Sequence, residues 1–123
     1  MSFTEAVVLI DASGYVLYGR RPPDASAVYI PDSAELFDAI WHHRNELAGI
    51  AHTHPGSGVP VASHEDVTTF DAVERCIGQS LDWWIVSSND VRVYRRPRRH
   101  MAWTGLPVDH VADWINELRA LSR

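Results

Sequence analysis

The run Leu47-Ala-Gly-Ile-Ala51 constrains the fold more than any other part of this chain. It is short, apolar and free of charge, the pattern of a central strand covered on both faces. Such a strand needs neighbours to pair with and helices to lie against it, and the flanking sequence supplies candidates for both. Glu5-Ala-Val-Val-Leu-Ile10 reads as a buried strand, and Asp11-Ala-Ser-Gly14 carries turn formers before a second apolar run from Tyr15 to Tyr18, an opening hairpin. Ala27-Val-Tyr-Ile30 is a further strand candidate stopped by Pro31. Asp32 or Ser33 can cap a helix whose Leu36, Phe37, Ile40 and Trp41 form one apolar face.

Beyond the central run, two glycines and two prolines between Pro55 and Ala62 take the chain out of regular structure. Ser63 then opens a helix that buries Val67, Phe70, Val73 and Ile77 and ends near Gly78. Leu81 to Val86 and Val91 to Tyr94 read as two strands joined at Ser88-Asn-Asp90. A basic stretch from Arg95 to His100 and Pro107 precede a terminal amphipathic helix with Val111, Trp114, Ile115, Leu118 and Leu121 on one stripe. That stripe must dock, either on its own domain or on a second copy in a homodimer. Alternating strands and helices predict an α/β or α+β domain, a mixed β-sheet flanked by helices.

Composition narrows the function classes. The 123 residues suit one domain, and a net charge of −5 disfavours nucleic acid as partner. Cys76 is the only cysteine, so a metal site here must use histidines and carboxylates. A secretory stretch and a membrane-spanning run are both lacking, which predicts a cytoplasmic protein with no membrane partner.

His52-Thr-His54 stands at the end of the central strand. Alternation sends both imidazoles to one face, roughly 6.5–7 Å apart along the backbone. Two rings so placed can converge on one ion. A catalytic zinc takes three protein ligands and leaves a fourth position open, so a third ligand is required. Asp66 is the best candidate, because the loop lets the chain turn back and Ser63 starts a helix whose first turn carries the carboxylate. Taken singly, His-x-His suits two hydrogen-bonding histidines and Ser63-x-x-Asp66 suits a helix capping box. The structural and the metal-binding readings of Ser63 and Asp66 can coexist.

The joint spacing is more specific: His52-Thr-His54-Pro55, seven residues, Ser63, two residues, Asp66. This resembles, residue by residue, the HxHPx(7)SxxD signature of the JAMM (MPN/JAB) zinc metallopeptidases, minimal prokaryotic-type members most of all. The resemblance covers roughly residues 5–94. It implies a deaminase-like JAB/MPN fold, Zn2+ held by His52, His54 and Asp66, and Ser63 steadying the oxyanion of the scissile carbonyl. It also implies a catalytic carboxylate that accepts a proton from water, and Glu5, directly before the first strand, matches that position. Glu35 is the alternative base. The family places a helix before this strand, whereas four residues precede Glu5 here, a departure that bears on the base rather than on the ligands. The implied activity is hydrolysis of an amide or isopeptide bond at the C-terminal tail of a ubiquitin-like or sulfur-carrier protein. The alternative is a non-peptidase MPN scaffold or a RadC-like module in DNA-associated processes. On this reading residues 1–94 are the catalytic core, and residues 95–123 add the basic segment and a helix packed on the same domain.

Overall fold

A computed structural model describes residues 5–21, 34–54, 57–98, 101–108 and 112–122. The strand expected at 27–30, the helix cap at Asp32 or Ser33, and Pro55, Arg99, His100 and Val111 lie outside the described residues.

Six strands form one mixed sheet: β1 (Val7–Asp11), β2 (Val16–Arg20), β3 (Leu47–Thr53), β4 (Asp82–Val86), β5 (Val91–Arg95) and β6 (Thr104–Pro107), in the spatial order β2-β1-β3-β4-β5-β6. All neighbours are antiparallel except β3 and β4, whose parallel pairing matches Gly49 to Asp82 and Thr53 to Val86. A parallel pair needs a crossover, and α2 (His64–Ile77) makes it. Helices α1 (Ala34–His43) and α3 (Asp113–Leu121) complete the described elements, giving the mixed α/β architecture that the alternation predicts. Among the described residues no helix is long and apolar enough to cross a membrane.

Strand alternation divides the interior into two cores. Val7, Leu9, Ile50, Trp83 and Ile85 pack on one face with Leu36 and Ile40 of α1 and Phe70 and Val73 of α2. On the other face Val8, Ile10, Ala51 and Val86 pack with Trp114, Ile115 and Leu118 of α3. The central run is therefore covered on both sides. A register shift between Ile10 and Asp11 in the β1–β3 ladder lets Leu47 join the same core as Ile50, which strict alternation would forbid. Gly49 cannot be larger, since a Cβ there would meet the Asp82 carbonyl oxygen at 2.7 Å.

The terminal stripe docks on its own sheet. Trp114 is 5% exposed, and its ring meets Trp84 edge-on with centroids 5.0 Å apart. Its neighbour in sequence on β4, Trp83, points the other way and stacks on Phe70 at 4.4 Å.

Two expectations change. The segment after β5 contains β6, an edge strand paired to β5, where composition suggested only a basic stretch and a proline. Edge placement explains how Pro107 is tolerated, because the outer side of an edge strand asks for no amide donor. The apolar face of α1 is also narrower than its periodicity predicts. Leu36 and Ile40 are buried, whereas Phe37 is 38% and Trp41 46% exposed. Trp41 instead carries the Arg44 guanidinium 4.0 Å above its ring. In the basic segment, Arg95 forks onto Asp82 at 2.6 and 3.1 Å, and Arg96 bonds Asp71 at 2.7 Å. These arginines neutralise carboxylates of their own domain.

Candidate metal centre

The site is built where the sheet hands the chain to α2. The β3 ladder extends one residue past the strand, with His54 N donating to the Val86 carbonyl at 2.9 Å. Alternation then sends His52 and His54 to the α2 face and Thr53 to the α3 face. The loop returns to Ser63, which caps α2: Ser63 Oγ accepts from Asp66 N at 3.1 Å, and Ser63 N donates to Asp66 Oδ2 at 2.9 Å. At its far end, α2 stops at Gly78, whose left-handed φ of 71° lets its N–H reach the Glu74 carbonyl.

The capping box also aims Asp66. The oxygen that accepts from Ser63 N lies 3.0 Å from His54 Nε2, while Oδ1 lies 3.4 Å from His52 Nε2. The two imidazole Nε2 atoms stand 3.2 Å apart. Ligands on a tetrahedral zinc at about 2.0–2.1 Å are about 3.3–3.4 Å from one another, a spacing the two nitrogens meet, while Asp66 turns Oδ2 to His54 and Oδ1 to His52, so that each imidazole has a carboxylate oxygen beside it. Two imidazole lone pairs at 3.2 Å repel unless a proton or a cation lies between them. The residues thus fit a divalent ion with two nitrogen donors and one carboxylate, a set that suits zinc. Among the described residues they are the one group of three or more histidine, cysteine or acidic side chains close enough to share an ion.

Electrostatics follow the geometry. Burial alone would raise the Asp66 carboxyl, but hydrogen bonds from His52 and His54, the His52 charge and the Ser63 amide hold it well below the usual carboxylate range. Burial lowers the His52 imidazole, against an opposing pull from Asp66, and so favours the neutral form that can bind metal.

Glu5 sits just ahead of β1 and lines one cavity with His52 and Asp66. Burial pushes its carboxyl up to about 7, with the His54 charge pulling down and the Asp66 charge pushing up. Its position is pinned through Ala6, which faces Thr53 in two bonds: Thr53 N donates to the Ala6 carbonyl at 3.0 Å, and Ala6 N donates to Thr53 Oγ1 at 2.8 Å. Glu35 lies elsewhere, on the exposed side of α1, where it takes Arg20 Nη1 at 2.7 Å. Ser63 is exposed at the helix start, and with its oxygen accepting from Asp66 N its own hydrogen remains available to donate. His64 is exposed, while His42 and His43 meet edge-on at the end of α1, away from the triad.

Sequence reasoning treated Thr53 only as the spacer between two histidines. Its hydroxyl also bonds that of Ser122 at 2.9 Å, and both residues are fully buried, so the end of α3 is tied to the ligand-bearing strand. A hydroxyl sent by alternation into an apolar face is the signal that could have found it.

No family model matches this chain, and a search of the curated proteins finds no match. What the site can do is therefore set by its own geometry.

Proposed function

We propose that this protein is a zinc-dependent hydrolase of amide or isopeptide bonds, acting at the C-terminal tail of a ubiquitin-like or sulfur-carrier protein in the manner of the JAMM (MPN/JAB) metallopeptidases. The observation that carries the reading is the convergence of His52, His54 and Asp66, with contacts of 3.0–3.4 Å, beside a cavity that His52 and Asp66 line together with Glu5. The donor set and the HxHPx(7)SxxD spacing support zinc over harder cations.

When bound, zinc supplies a Lewis acid that polarises the scissile carbonyl and acidifies water. The chain's residues do the rest. Glu5, as the carboxylate, takes a proton from the attacking water as oxygen bonds to the carbonyl carbon. It then returns that proton to the amine nitrogen as the carbon–nitrogen bond breaks, leaving a carboxylate and a free amine. The Ser63 hydroxyl donates to the carbonyl oxygen as negative charge gathers there. Thr53, held between Ala6 and Ser122, keeps the histidine strand and the Glu5 segment in register.

The test combines metal content with cleavage of tail-linked fusions. Zinc-loaded protein should release the fused partner, and Glu5→Gln should keep one equivalent of zinc while losing about 10²-fold or more in rate. A dead Glu35→Gln beside an active Glu5→Gln would assign the base to the other glutamate. Full zinc loading with no cleavage of any fusion would overturn the hydrolase reading.

A further inference from the structure

The cavity beside the triad runs between α1 and α2 over the sheet and encloses about 250 Å³. Ile50 and Trp83 come from the sheet, Leu36 and Ile40 from α1, and Ala72 and Val73 from α2. The side-chain donors in that wall outside the triad and Glu5 are already committed. Thr68 Oγ1 donates to the His64 carbonyl at 2.9 Å and Thr69 Oγ1 to the Glu65 carbonyl at 3.0 Å. The Trp83 indole N–H donates to Glu74 Oε2 at 3.0 Å. Away from Glu5 and the triad the wall is aliphatic and aromatic, so a side chain reaching into that part gains most when it is apolar and has no water to lose. The size also fits: a dry cavity of about 150 Å³ lined by aliphatic and aromatic residues is enough to hold benzene.

Because Glu5, His52 and Asp66 line the same space, an occupant must be joined to the atoms reacting there. We propose that this cavity is the specificity pocket for a bulky apolar side chain, of leucine or phenylalanine size, on the amine side of the scissile bond. The assignment to the amine side rests on the hydrolase reading above, in which Glu5, part of the pocket wall, returns its proton to the leaving nitrogen. Phe37 and Ala72, both exposed, give the pocket an open rim.

Two measurements separate the failure of this inference from the failure of the hydrolase reading. In the first, zinc-loaded protein is titrated with leucinol and with ethanolamine, two amino alcohols that differ by the side chain alone, and tryptophan fluorescence reports filling over Trp83. Leucinol should bind about tenfold or more tightly than ethanolamine, and Ala72→Trp, which narrows the pocket from an exposed helix position, should remove the difference. Equal affinities, or a preference that survives Ala72→Trp, overturn the pocket whatever the protein cleaves. In the second, carrier fusions with leucine, phenylalanine, glycine or aspartate directly after the carrier's last residue are compared by kcat/KM. Leucine and phenylalanine should exceed the other two by about tenfold, a preference that Ala72→Trp collapses. A leucinol preference with no cleavage of any fusion overturns both the hydrolase reading and the placement of the pocket at a scissile bond. Cleavage with no preference overturns the pocket alone.

Discussion

Replacing Thr53 with valine keeps the volume of the side chain and removes one oxygen, which makes it a sharp probe of the contact beneath the candidate metal centre. Thr53 and Ala6 are both 0% exposed, so the Ala6 amide that Thr53 Oγ1 accepts has no route to water. An orphaned buried amide costs about 1–3 kcal/mol. Thr53→Ser keeps the oxygen and loses a methyl, a change of about 0.5–1.5 kcal/mol by analogy with other single-methyl deletions. Ser122→Ala should be mildest, since Thr53 still accepts from Ala6. For a domain of this size each kcal/mol moves the melting temperature by roughly 4 °C, so Thr53→Val should melt about 4–12 °C below the parent. Calorimetry on metal-free protein keeps ligand stabilisation out of the comparison. A valine variant as stable as the parent, or a serine variant less stable than the valine one, would refute the bonding scheme.

The remaining expectations are simpler. His52→Ala and His54→Ala should each lose zinc while His64→Ala keeps it; equal loss in all three, by metal analysis, would misplace the site. Trp114→Ala should lower stability by about 3–5 kcal/mol to the same extent at low and high protein concentration, because the ring packs on its own sheet; light scattering that reports a halved mass would contradict that. Asp11 is held below its ordinary 3.8 by hydrogen bonds, from the Ser13 side chain first and then the Tyr15 and Ser13 amides, although burial pulls the other way. The unfolded chain then binds the proton more readily, so this contribution is present above pH 3.8 and is lost as pH falls below it. Asp11→Asn should flatten the acid limb of the stability curve, as urea melts between pH 2 and 5 would record.

The parts of the site that proved legible are local. His52 and His54 share a face because a strand alternates, and Asp66 returns to them because a capping box fixes the first turn of α2. What stayed hidden depends on distance in sequence. β6 has one leucine among threonine, glycine and proline, and only its pairing with β5 makes it a strand. Periodicity gives α1 an apolar stripe, but how much of it is covered depends on what packs against it, and Phe37 and Trp41 stay exposed. The cavity lined by both α1 and α2 is likewise encoded by no pattern in either helix. The role of Thr53 depends on Ser122, 69 residues away.

That spread of separations has a consequence for how the centre comes together in time. Asp66 is 12 residues from His54, whereas the contact that brings the Glu5 segment alongside spans 47 residues and the α3 tie spans 69. Short loops close first, because the entropy of closure grows with length. The ligand triad can therefore gather before the sheet is complete, and zinc present during refolding would be captured by a half-formed β3–α2 unit. Such capture would speed folding as well as slow unfolding, and Glu5 would arrive once the metal was already held.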